Sequence, residues 1–260
     1  MNDTLLLREA RGPVVWLTMN NPAKLNALSD EMLAALQSAF DELGQDPDIK
    51  AVVLRGAGKA FCAGHDLRQM TDKRQAEDGG AAGFKDLFDR CAEMMMTIRK
   101  MPQPVIASVH GIATAAGCQL VASCDLAVAE EGTRFGVNGV NIGLFCSTPM
   151  VALSRNISRK QAFEMLVTGE FIDAERAREL GLINRVTTDL ERETTAMSEL
   201  VASKLGAAVR YGKGAFYDQL EMTLPEAYAF TGDVMVANMA ERDTEEGIAA
   251  FLEKRDPDWT

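Results

Sequence analysis

Histidine is almost absent from this chain: His65 and His110 are the only two in 260 residues. The five cysteines, Cys62, Cys91, Cys118, Cys124 and Cys146, are odd in number and form no CxxC pair. A Cys/His metal site and a disulfide framework are therefore not expected, and a reducing, cytoplasmic location is. No run approaches the ~18 uninterrupted apolar residues of a membrane span. The first residues, MNDTLLLREA, lack the basic start and long apolar stretch of a secretory signal. Positive charge is also scarce, with 27 Lys and Arg against 38 Asp and Glu, a net charge of −11. That balance argues against a nucleic-acid partner, although a local cation cluster could still hold an anionic small ligand. No metal, nucleic-acid or membrane partner is expected.

Apolar residues make up 47% of the chain and charged residues 25%, the balance of a soluble globular protein. The length suits one large domain or a domain with an appendage. Leu5–Glu9 and Val14–Met19, joined by Arg11-Gly12-Pro13, predict a β-hairpin. Ser29 caps a helix with apolar residues at Met32, Leu36, Phe40 and Leu43, ended by Gly44. Buried-strand patterns fall at Ala51–Arg55, Val105–Val109 and Leu126–Ala129. Thr71–Gly83, charged and Gly-rich, reads as a mobile loop. Phe84 to Met101 and Ala115–Ala122 read as helices. Strand–helix–strand alternation implies an α/β core. Beyond Gly143 the pattern turns helical, with a capping-box signal at Ser158-Arg-Lys-Gln161, a helix from Asp173 to Gly181 and a short strand at Ile183–Val186. A compositional change near residue 190 divides the chain into a core, 1–190, and a helical region, 191–260.

Four segments carry the chemical signal: Asn21–Leu28 (NPAKLNAL), Lys59–Leu67 (KAFCAGHDL), Gly111–Leu120 (GIATAAGCQL) and Phe135–Gly143 (FGVNGVNIG). The second and third follow strands, and their small residues let main-chain N–H groups point into a cleft. Two such turns could aim two donors at one oxygen and stabilise an enolate or tetrahedral oxyanion. Gly-rich turns also arise for purely steric reasons in α/β proteins.

In order, PAKLNAL, FCAGHDL, GIATAAGCQLVASCDLAVAE, FGVNGVNIGLF and LVTGEFIDAERARELGLINRV resemble the enoyl-CoA hydratase/isomerase (crotonase) superfamily, over about residues 5–255. The FGVNGVNIGLFCSTP and GHDL stretches are most similar to the subgroup of enoyl-CoA hydratase domain-containing proteins. The resemblance implies a crotonase (ClpP/crotonase-like) α/β fold, a ββα spiral with a helical C-terminal trimerisation region. It implies a homotrimer or a dimer of trimers acting on acyl-CoA or enoyl-CoA in fatty-acid metabolism. Coenzyme A is then part of the substrate, with no separate cofactor. The family's oxyanion donors fall on the His65 and Ala116 N–H groups. Ala63, His65, Asp66, Leu67, Arg68 and Gly117 fall on the CoA site, Lys24 near the CoA phosphates, and Phe251 and Lys254 at its adenine end.

The resemblance breaks at the chemistry. The family's two glutamates act as acid and base, and their positions hold Gln119 and Gly139, neither of which transfers a proton as a carboxylate does. Three functions stay open: a hydratase or isomerase, another CoA-thioester reaction such as decarboxylation or hydrolysis, and a binding protein with little turnover. Side-chain roles also stay open. His65 could serve acid/base work or point to solvent. Asp66 could be a turn cap, Lys24 a solvated turn lysine, and Cys146 a buried thiol. Asn138 and Asn141 could hold a polar group or simply shape turns. Met94–Met96 could line the core or an acyl pocket.

Overall fold

The protein is described from a computed structural model covering residues 4–259. Met1–Asp3 and Thr260, the ends of the expected N-terminal segment and C-terminal region, lie outside the described residues. β1 (Leu6–Arg11) and β2 (Val14–Met19) form the expected hairpin, with Leu6 opposite Met19 and Arg11 opposite Val14. The Ser29 hydroxyl accepts from the Met32 N–H at 3.2 Å and starts α1 (Asp30–Gly44). Then come β3 (Ala51–Gly56), α2 (Leu67–Lys73), α3 (Ala81–Lys100), β4 (Val105–Val109), β5 (Ile112–Thr114), α4 (Ala116–Ser123), β6 (Leu126–Glu130) and β7 (Arg134–Gly136). The second half holds α5 (Pro149–Asn156), α6 (Arg159–Thr168), β8 (Ile172–Asp173), α7 (Ala174–Leu180) and β9 (Arg185–Thr187). It closes with α8 (Leu190–Ala202), α9 (Gly206–Gln219), α10 (Leu224–Met239) and α11 (Arg242–Glu253).

Six strands make one sheet in the order β1-β2-β3-β4-β6-β9, parallel except for β1. Side chains alternate across it. Val15, Leu17, Val52, Leu54, Val105 and Ala107 enter the main core with α1, α3 and α4. Val14, Trp16, Ala51, Val53, Ile106 and Val128 face the other way, onto Met197 and Ala202 of α8. The compositional change near residue 190 thus coincides with the helix that covers the sheet's second face. A small sheet, β5-β7-β8, stands apart and carries the turns that follow β4 and β7.

Three local expectations are corrected. Thr71–Gly83 is not one loop, because α2 reaches Lys73 and α3 begins at Ala81. Asp66 caps α2, and the Asp78 carboxylate accepts from the Gly80 and Ala82 N–H groups, both at 2.8 Å, to start α3. Ser158 does precede α6, but its side chain makes no cap bond. The box that forms is at α10, where the Glu226 carboxylate accepts from the Thr223 N–H at 3.0 Å and its hydroxyl at 2.6 Å. The short strand starts at Arg185 rather than Ile183: the Asn184 N–H donates to Ala127 O at 2.9 Å, but the Ala127 N–H goes to the Asn184 side chain at 2.8 Å and not to main chain.

Candidate active site

The C-terminal ends of β3 and β4 deliver two turns to the same place. Cys62 N–H donates to Ile112 O at 3.1 Å, and Thr114 N–H to Cys62 O at 3.0 Å, so the second and third segments lie side by side. The first segment adds to them through Leu28 N–H to Gly64 O at 2.8 Å and Ala63 N–H to Leu25 O at 3.0 Å. The fourth joins through Ala115 N–H to Gly136 O at 2.9 Å. Main-chain bonds therefore link all four segments. Asn26, wholly buried, pins the assembly further by donating to Ala57 O at 2.9 Å and Ala60 O at 2.8 Å.

Gly64 has φ +89, and a Cβ there would lie 3.0 Å from the Ala115 Cβ and 3.3 Å from the Ala116 N. His65 N–H follows directly. Neither it nor the Ala116 N–H has a main-chain acceptor among the described residues. Ala116 is the first residue of α4, where unpaired N–H groups and the positive dipole end coincide. Ala115, at φ 50 and ψ −120, adopts a conformation that non-glycine residues avoid, at a cost on the order of 1–3 kcal/mol. Gly117 lets α4 start against the second segment, since a Cβ there would meet Cys62 O at 2.2 Å.

The side chains around this turn pair are largely engaged. The His65 ring does not point to solvent. It packs edge-on against Phe88 at 5.7 Å, with Nδ1 3.4 Å from Leu28 O and Nε2 buried without a partner among the described residues. Burial holds its pKa below the usual imidazole value. Below about pH 6.5 the unfolded chain takes up a proton that the folded ring refuses, so this group's stability is present above that pH and lost as pH falls through it. We expect urea unfolding between pH 7.5 and 5.5 to show a smaller loss for His65→Gln than for the parent, the difference reaching at most about 1.4 kcal/mol per pH unit. Equal losses would contradict it.

Asp66 accepts from the Arg68 N–H at 2.9 Å and from Lys24 Nζ at 2.7 Å. The Lys24 bond holds its carboxyl below the usual range, so it stays ionised. Lys24 is thus half-exposed and paired, while Leu67 and Arg68 are exposed and Ala63 is half-buried. Gln119 is 5% exposed, and its Oε1 has no partner among the described residues. At Gly139 a Cβ would lie 2.2 Å from Leu144 O and 2.9 Å from the Cys146 Sγ. No side chain, glutamate included, fits there without a shift of the main chain. Burial pushes the Cys146 thiol up, so it stays protonated. Asn138 Oδ1 accepts from the Thr114 hydroxyl at 2.7 Å, whereas Asn141 reaches Gly169 O at 3.3 Å. Met94 and Met95 are core, and Met96 is exposed. Phe251, 83% exposed, and Lys254 lie at the end of α11, which packs on α10, and α10 on α9. No hydrogen bond joins them to the turn pair among the described residues.

The model of the family described as enoyl-CoA hydratase/isomerase matches residues 9–260. The chain belongs to the enoyl-CoA hydratase/isomerase family. It is similar to enoyl-CoA hydratase domain-containing protein 3, mitochondrial, of Mus musculus, 45% identical over 94% of this chain and 80% of that protein. The crystal structure of the human enoyl-CoA hydratase domain-containing protein 3 superposes with a TM-score of 0.93 at 43% identity, covering 98% of this chain and all of that one. That of an enoyl-CoA hydratase from Mycobacterium smegmatis gives 0.95 at 53%, covering 99% of each. The crotonase fold implied by the motifs is therefore the fold of this family member. The expected cytoplasmic location is corrected, because the mouse and human relatives carry the name mitochondrial.

Proposed function

We propose that this family member is an enzyme that binds acyl-CoA thioesters and polarises the thioester carbonyl with the His65 and Ala116 N–H groups. The observation that carries this is the junction of the two turns, with two donors without main-chain acceptors set beside Gly64 and Ala115. Free donors at a helix start cost nothing to reorganise when charge develops on an oxygen. Ala63, Asp66, Leu67, Arg68 and Gly117 frame the approach, and Lys24, its charge shared with Asp66, stands where a phosphate could compete for it. Gln119 and Gly139 leave no carboxylate for hydration, so turnover of enoyl-CoA is slow in this reading. A calorimetric titration with butyryl-CoA tests it: micromolar binding is expected, and no binding overturns it.

The same reading makes the chain a homotrimer or a dimer of trimers. Leu224, Tyr228, Met235, Val236 and Met239 leave large apolar side chains exposed along α10, and exposed apolar surface of this kind is where partners dock. A neighbouring chain would cover them and carry its Phe251 and Lys254 toward a CoA site that one chain leaves open. Sedimentation is expected to give a trimer or hexamer. A monomer at micromolar concentration would contradict the assembly.

A further inference from the structure

The N-terminal ends of β3 and β4 lie a strand's length, ~16 Å, from the turns that follow these strands. There, Lys50 and Gln103 line a small cleft with Lys204, Gly206 and Arg210 at the start of α9. Three cations and no carboxylate line it, in a chain with 27 Lys and Arg against 38 Asp and Glu. None of the three cations is in an ion pair among the described residues. α9 begins without a side-chain cap and without an acidic residue in its first turn. The N–H groups of Gly206, Ala207 and Ala208 have no main-chain acceptor among the described residues. Arg210 Nη1 nonetheless folds back over this end, 3.3 Å from where a Gly206 Cβ would stand. A cation at the positive end of a helix is unfavourable, and an anion set between the two makes both contacts attractive.

Gln103 supplies an independent observation. It is 4% exposed, and its Nε2 donates to Asp46 O at 2.9 Å, which fixes the orientation of the amide. Its Oε1 is buried without a partner among the described residues. Its main-chain carbonyl accepts from Lys213 Nζ at 2.8 Å, so the residue is tied to α9. The enclosed part of the cleft, about 10 Å³, takes one water-sized group. A water there would satisfy Oε1 but leave the charge of the rim unanswered. We propose that this cleft binds hydrogenphosphate, its O–H donated to Gln103 Oε1 and its other oxygens held by the α9 N–H groups, Lys50, Lys204 and Arg210. Sulfate has the same shape and charge but no proton, so one of its oxygens would face the Gln103 oxygen, acceptor against acceptor. A phosphate monoester, whose second proton leaves near about pH 6, has none to donate at about pH 7.5.

The test is calorimetric titration of the intact protein with inorganic phosphate, sulfate and glycerol phosphate, at equal ionic strength and about pH 7.5. Phosphate is expected to bind, and sulfate and the monoester to bind at least roughly tenfold more weakly. Lys204→Ala combined with Arg210→Ala is expected to weaken phosphate roughly tenfold, while the thermal melt in phosphate-free buffer stays that of the parent. Lys160→Ala, on the exposed surface of α6, is the matched control and should change neither. Gln103→Met should erase the preference over sulfate. No heat with phosphate, equal affinity for phosphate and sulfate, or parental binding by the double variant each overturns the assignment. A preference over sulfate that survives Gln103→Met does so too. Butyryl-CoA should leave phosphate binding unchanged, and competition between them would place phosphate in the thioester site and overturn a separate one.

Discussion

Under the proposed thioester activity, Ala116→Pro is expected to lower turnover by ~10²–10³-fold, with a much smaller change in thioester affinity. The substitution removes one N–H and nothing else from the donor pair. The first position of a helix is where proline fits best, because that N–H has no helical acceptor and the fixed φ suits the start of α4. The strain falls on Ala115, whose φ 50 and ψ −120 a following proline resists. Circular dichroism and a thermal melt report that cost separately from catalysis. A variant that folds, binds butyryl-CoA and turns over within threefold of the parent would show that the Ala116 N–H does not stabilise the developing oxyanion. Ala116→Gly keeps the donor and serves as the paired control.

The sheet, the hairpin and the order of the four segments were legible in the sequence because each follows from a short-range pattern. Val14–Met19 and Ala51–Arg55 alternate between two buried faces, and Gly64 and Gly117 mark places where main chain approaches main chain. The closure at Gly139 was not legible. A glycine in that motif reads as a missing side chain, and only the position of the Leu144 carbonyl, five residues on, shows that none would fit. The His65 ring was equally hidden, since its place against Phe88 depends on where α3 crosses. Asp30 shows the same limit. It accepts from Lys73 Nζ at 2.8 Å and Arg90 Nη2 at 2.5 Å, tying α1 to α2 and α3, and Lys73 lies in the stretch that the sequence presents as a charged loop. Asn26 had a signal, a polar residue inside an apolar turn, but its two carbonyl partners lie over thirty positions away.

The least legible feature carries the largest expected loss of stability. Asp125 and Lys213 are 88 positions apart and belong to none of the four segments. In the folded chain Lys213 Nζ donates to Asp125 Oδ2 at 2.7 Å, Ile98 O at 2.7 Å and Gln103 O at 2.8 Å. Asp125 also accepts from the Val105 N–H at 2.7 Å and the Tyr217 hydroxyl at 2.8 Å. Every proton of the ammonium is thereby matched, and α9 is held to the ends of α3 and β4. Arg99, stacked over Tyr217 at 4.7 Å, closes the knot. Asp125→Ala leaves a buried ammonium with two carbonyls and no counter-charge, and we expect it to cost about 3–5 kcal/mol. For a chain of this size that corresponds to a melting point lower by roughly 6–20 °C. Replacing both partners, Asp125→Ala with Lys213→Met, removes the orphaned charge and should cost less than the two single changes summed. A loss below 1 kcal/mol for Asp125→Ala would mean that α9 is held by its apolar contacts alone. Because α9 supports α10, the same variant should weaken the proposed trimer, and if that assembly forms, sedimentation of Asp125→Ala is expected to show dissociation at concentrations where the parent stays assembled.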